Sequence, residues 1–99
     1  MIIVAGTISI DPADFEAYQA ASAPMIEATL AEEGCHTYNF AQSVVDPSEI
    51  RIFELWETKE SLEAHFNAPH MATFQAAIGE LSIGSRNLAI YTADKVADL

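Results

Sequence analysis

The sequence is poor in cations. Lys and Arg total 4 against 15 Asp and Glu, for a formal charge of -11 at pH 7. A nucleic-acid surface needs several cations for each site, so that class of partner is excluded. An anionic membrane surface draws polybasic segments, and there are none. Cysteine occurs once, at Cys35, so no internal disulfide can form. No cation adjoins it in sequence, and it reads as a small buried apolar residue rather than a reactive thiol. No apolar run approaches the ~18 residues of a membrane span. The apolar opening Met1–Ile10 lacks a basic start and meets Asp11-Pro12 at once, which suits a strand and not a signal peptide. A cytoplasmic location is the default expectation. Glycine and proline number four each, with no linker or low-complexity stretch, so residues 1–99 are expected to form one domain.

What is present is apolar residue: 51% of the chain, with 19% charged, which supports a packed core and argues against disorder. Residues 2–10 alternate, with Ile2, Val4, Gly6, Ile8 and Ile10 on one side and Ile3, Ala5, Thr7 and Ser9 on the other. That period predicts a strand. Asp11 can cap a helix whose first position suits Pro12, with Asp14 adding negative charge at its positive end. Phe15, Tyr18, Ser22, Met25, Ile26, Thr29 and Leu30 follow at helical spacing. Pro24 falls inside and predicts a bend or loosened hydrogen bonding. Gly34 is a left-handed stop. Residues 35–45 and 49–57 read as strands joined by a turn at Asp46-Pro47-Ser48. Thr58 caps a short helix over 59–67, Ala68-Pro69 breaks it, and a further helix carries Met71, Phe74, Ala77, Ile78 and Leu81. Residues 83–93 form the last strand, and a polar tail follows.

The order βαββα(α)β predicts an α+β fold: a ferredoxin-like four-stranded antiparallel sheet with helices on one face. In the third strand Ile50, Ile52 and Trp56 face one way, while Phe53 and Leu55 face the other. Both faces being apolar, the face without helices needs a cover, and a second copy of the chain is the simplest one.

Several side chains are candidates for chemistry. Trp56, the sole tryptophan, can plug the core or wall a pocket for a flat ring. His65 shares a helix face with Leu62 and Phe66, about 10 Å along that helix at ~1.5 Å per residue, above the strand that bears Trp56. A neutral imidazole there can take a phenolic proton. Glu54 alternates with Ile52 and Trp56 and faces the same interior. It is expected to orient His65, or to act as a base with a raised pKa. Arg86, opening the last strand, can hold an oxyanion. Asn39 can donate to a substrate oxygen, while Tyr38, on the opposite face, reads as packing. His36 and His70 read as surface residues. No metal site is expected: His65 and His70, five apart, fall near opposite sides of a helix that Pro69 interrupts, and no HxxxH, HExxH or cysteine pair occurs.

Three segments carry a resemblance. They are Glu33-Gly34-Cys35-His36-Thr37-Tyr38, then Glu54-Leu55-Trp56-Glu57-Thr58-Lys59-Glu60-Ser61-Leu62-Glu63-Ala64-His65-Phe66, then Pro69-His70-Met71. In that order and spacing the chain resembles the antibiotic biosynthesis monooxygenase family over nearly its whole length. The resemblance implies a dimeric α+β barrel. It also implies a small oxygenase that converts a quinol or polycyclic phenol to a quinone with O2 and no cofactor. Family members often place a tryptophan where Trp56 stands. The family's haem-degrading members use an asparagine on the first strand, which Ile2 to Ile10 lacks. The tyrosine of some polyketide oxygenases is also missing from the helix of Leu62 and Phe66. The site is therefore expected to combine His65, Trp56 and Glu54 as catalytic residues with Asn39, Arg86, Phe66 and Leu62 around the substrate. The competing expectations are a dimeric module that binds a small apolar ligand without catalysis, and an isomerase of a small signalling metabolite that shuttles protons through His65 and Glu54.

Overall fold

The period-two stretch at the start of the chain forms strand β1, Ile2–Ile10. A computed structural model describes residues 1–99. After β1, the Asp11 carboxylate accepts from the Ala13 amide and opens a 3-10 turn, Pro12–Asp14, that leads into helix α1, Phe15–Leu30. Strands β2, Cys35–Gln42, and β3, Glu49–Trp56, form a hairpin. Helix α2, Lys59–Phe66, helix α3, Pro69–Ile78, and strand β4, Ile83–Thr92, complete the chain. Thr58 caps α2 by accepting from the Ser61 amide. Proline occupies the first turn of α3, where no amide donor is needed.

Pro24 lies inside α1, and the chain is helical on both sides of it. The Ser22 and Thr29 hydroxyls donate to the carbonyls of Tyr18 and Met25, one turn back, on either side of it. Strand β2 stops at Gln42 rather than residue 45. The Ser43 hydroxyl accepts from the amides of Val45 and Asp46, and Asp46 accepts from Ser48, so side chains stabilise a turn in place of the ladder.

The sheet is antiparallel throughout, in the order β2-β3-β1-β4, which is the ferredoxin-like arrangement. Register decides which side chains meet. Val4 lies opposite Glu54 on one side and Ile90 on the other, and Tyr38 lies opposite Glu54. Tyr38, Glu54, Val4 and Ile90 therefore point to the helical face. The core forms there from Val4, Ile8, Ile50, Ile52 and Trp56 below and Tyr18, Met25, Leu62, Phe74 and Ile78 above. Helix α1 packs on β2 and α3, and α2 packs on β3. Strand β4 is left without a helix, so Leu88 and Ile90 on its helical face stay partly exposed. This uncovered edge opens the interior to solvent.

Gly6 makes the β1–β4 pairing possible. Its φ is +148°, and a Cβ there would lie 1.9 Å from the Asn87 carbonyl oxygen. The other sheet face carries Phe53 and Tyr91, exposed at 42% and 54%, beside Ile3 and Leu55. No helix of the chain is long and apolar enough to cross a membrane.

Candidate active site

A half-open cavity of about 330 Å³ lies between the sheet and helices α2 and α3, and its open side follows β4. Val4, Ile8 and Ile52 give it an apolar floor, and Tyr38, Glu54, His65 and Arg86 bring the polar chemistry. A site of this kind, mostly apolar with a few converging polar groups, suits a small flat guest. A smaller hollow of about 160 Å³ between α1 and β2 has Tyr18, Gln19, Ser22 and Gln42 as its polar lining and no carboxylate or imidazole.

Glu54 is 7% exposed. Its Oε1 accepts from the Trp56 indole N–H at 2.9 Å. Burial pushes its carboxyl up to about 7, against the lowering effect of the indole donor, and the nearby Glu32 carboxylate adds to the rise. At neutral pH this group both holds and releases a proton, the property required of an acid or base working there. The Tyr38 phenol is pushed well above its ordinary value, first by burial and then by the charge of Glu54. It therefore stays a neutral O–H.

His65, 1% exposed, bridges two elements. Its Nδ1 lies 2.7 Å from Oε2 of Glu32, on the turn after α1, and its Nε2 lies 3.2 Å from the Tyr38 hydroxyl. A carboxylate only accepts, so Nδ1 carries a proton, and in the neutral ring Nε2 then accepts from Tyr38. The ring also packs 5.0 Å from Trp56 and 5.1 Å from Tyr38, centre to centre. Arg86 is exposed at the rim, and no carboxylate pairs with it.

Glu54, His65, Arg86 and Phe66 thus border one cavity, and other expected positions differ. Trp56 is fully buried and does not line the cavity, because α2 and the His65 ring cover it. It positions Glu54 through its N–H and cannot stack on a guest. Glu54 does not orient His65; Glu32 does, since the turn after α1 comes back beneath α2. Asn39 is exposed opposite Phe53 on the other sheet face, away from the cavity. Leu62 is 1% exposed and packs in the core under α2. His36 pairs with Glu57 at the surface, as expected. His70, expected at the surface, is half-buried, and its Nε2 lies 2.7 Å from the same Glu32 oxygen.

Sequence reasoning missed Glu32, Tyr38 and His70. One signal was available for Glu32. Gly34, at φ +82°, turns the chain so that a Cβ there would meet the Ser61 side chain of α2 at 2.2 Å. That contact brings the residues just before Gly34 against α2.

A family model described as "Antibiotic biosynthesis monooxygenase" matches residues 1–77. The uncharacterized protein sll1783 of Synechocystis is 30% identical over 90 residues, 91% of this chain and 61% of that protein. "Probable quinol monooxygenase YgiN" of Escherichia coli is 36% identical over 64 residues, which is 57% of this chain and 62% of that protein. The chain spans about three-fifths of the length of these curated relatives. Among solved structures, Rv0793 of Mycobacterium tuberculosis superposes with a TM-score of 0.79 at 28% identity, covering 97% of this chain and 98% of that one.

Proposed function

The chain belongs to the antibiotic biosynthesis monooxygenase family, and from that premise we propose that it oxidises a small phenolic ring, a quinol or a polycyclic phenol, to a quinone with O2. The observation that carries this reading is Glu54. It is a buried carboxyl held by an indole N–H on the wall of an apolar cavity, with its pKa raised to about 7.

Oxygen is a triplet and reacts slowly with closed-shell organic molecules. A phenolate is electron-rich enough to pass it one electron unaided. The protein's task is then to remove a proton, hold the anion and keep water away. Glu54 takes the phenolic proton. The Tyr38 O–H and the Arg86 guanidinium face the anion from the wall and the rim. His65, fixed by Glu32, accepts a hydrogen bond from the Tyr38 O–H when Tyr38 is not donating to the anion. For a phenol with a free para position, one oxygen atom enters the ring and the other leaves as water with two hydrogens from the substrate. For a quinol, two electrons and two protons pass to O2 and hydrogen peroxide leaves. No added cofactor enters this scheme. The name of the relative "Probable quinol monooxygenase YgiN" agrees with the substrate class.

A second copy of the chain, laid on the sheet face of Phe53, Leu55 and Tyr91, completes the proposed assembly as a dimer of two single-domain chains.

The test is oxygen uptake with a reduced naphthoquinone. Wild-type protein is expected to consume oxygen well above the rate of the quinol in buffer, and Glu54→Gln to fall by about 10²–10⁴-fold. Uptake no faster than buffer with several quinols and phenols, despite their binding, would leave a ligand-binding module in place of an oxygenase.

A further inference from the structure

Glu32, His65 and His70 come from the turn after α1, the last turn of α2 and the first turn of α3. One atom from each, Oε2, Nδ1 and Nε2 respectively, converges so that all three lie within 4.8 Å of one another. Both imidazoles meet the same carboxylate oxygen, each at 2.7 Å. We propose that these three side chains form a binding site for a divalent transition-metal ion of the zinc class.

The donor set supports that class. Two imidazoles and one carboxylate suit a borderline cation such as Zn²⁺, whereas Mg²⁺ and Ca²⁺ prefer oxygen alone. Three protein ligands also leave a fourth position for water. Tetrahedral bonds of about 2.0–2.1 Å separate neighbouring ligand atoms by about 3.3 Å. The two short contacts therefore open by about 0.6 Å, and the two imidazole nitrogens, within 4.8 Å of each other, take the same spacing of about 3.3 Å. Without an ion, both ring N–H groups donate to Glu32; the ion takes the place of those two protons.

The surroundings add independent support. A metal-bound histidine nearly always uses its other nitrogen in a hydrogen bond, and His65 already has one, to the Tyr38 hydroxyl at 3.2 Å. With the ion on Nδ1, the ring proton moves to Nε2 and the bond reverses: His65 donates, and the Tyr38 O–H is freed to donate elsewhere. Solvent has access as well. Side-chain exposure rises from 1% at His65 to 17% at Glu32 and 24% at His70, and His70 borders a hollow of about 270 Å³ against α1. The formal charge of -11 draws cations to the surface. The remaining histidine, His36, meets only Glu57 and lacks a third ligand.

This site stands whether or not the cavity oxidises phenols, because Glu54, which takes the phenolic proton, is not among its ligands. The test is titration of the chelator-treated full-length protein with Zn²⁺ by calorimetry, alongside His70→Ala, Glu32→Gln and His36→Ala, each checked by circular dichroism for native structure. Wild type and His36→Ala are expected to bind one ion per chain with equal affinity, unaffected by excess Mg²⁺. His70→Ala and Glu32→Gln are expected to bind more than about tenfold more weakly. Co²⁺ is expected to give the intense visible bands of a four-coordinate site in wild type and to lose them in His70→Ala. Two results would overturn the site: no stoichiometric binding by wild type, or equal binding by His70→Ala, which would mean only diffuse attraction to the acidic surface. Should one ligand variant fail to fold, the other and the cobalt spectrum decide.

Discussion

In the folded chain the Glu54 carboxyl titrates at about 7, against an ordinary 4.5. Folding therefore favours the protonated form, and the unfolded chain gives up its proton first. The stability linked to Glu54 is full below pH 4.5, falls as pH rises towards 7, and is flat above it. Glutamine cannot ionise, and its Oε1 can still accept from Trp56. Glu54→Gln is thus expected to be more stable than wild type at pH 8, by up to about 3 kcal/mol, and to gain much less at pH 5. Urea unfolding at the two pH values measures this, and an equal effect at both would contradict the raised pKa. A variant that gains stability while losing turnover has given up a functional group, not a structural one. The alternation of the third strand made Glu54 legible as an inward carboxylate. Its partner was not legible: whether an inward indole faces a guest or lies under a helix depends on packing, and α2 covers Trp56. Tyr38 and Asn39 show the same limit: parity put them on opposite faces, and the sequence reading set Asn39 at the cavity where the fold sets Tyr38.

Short signals of known mechanism located most of the elements. Alternation gave β1, the Asp11-Pro12 and Thr58 caps started helices, and Pro69 opened α3. Boundaries erred where side chains competed with the ladder, as Ser43 and Asp46 do after Gln42. The contacts between elements were hidden, because Glu32 and His65 stand 33 residues apart. His70 was hidden for a different reason: the break at Ala68-Pro69 reorients α3, so helical spacing no longer applies across it. Gly34 links these elements. Its φ of +82° disfavours any side chain, and a Cβ would lie 2.2 Å from Ser61 Oγ and 2.8 Å from Ser61 Cβ. Gly34→Ala is expected to cost about 1–3 kcal/mol, read as a lower thermal midpoint. Gly6→Ala is expected to cost more, since its Cβ would meet backbone at 1.9 Å rather than a side chain that can rotate. Equal midpoints for Gly34→Ala and wild type would mean that the turn adapts and does not fix Glu32 against α2.

Across the whole molecule, apolar residues exceed what one sheet face can bury. Phe53 and Tyr91 on the outer face and Leu88 and Ile90 along β4 keep 38% to 57% of their surface exposed. Burying such area stabilises by about 25 cal/mol per Å², so pairing of two copies is favoured if their shapes fit. Sedimentation of the wild type is expected to give twice the chain mass of 10.7 kDa. Phe53→Glu, placing a charge in the middle of that face, is expected to shift it to monomer with its circular dichroism unchanged. Monomeric wild type at micromolar concentration would remove the dimer from the account.

The most direct test of the account is the pH profile of kcat/KM for oxygen-dependent quinol oxidation, in wild type and in Glu54→Gln. The account predicts a rate that rises with pH through about 7 in wild type, as Glu54 becomes free to accept a proton. In Glu54→Gln that limb is expected to vanish and the plateau to drop by about 10²–10⁴-fold. A Glu54→Gln protein that kept both the limb and the rate would show that the proton goes elsewhere.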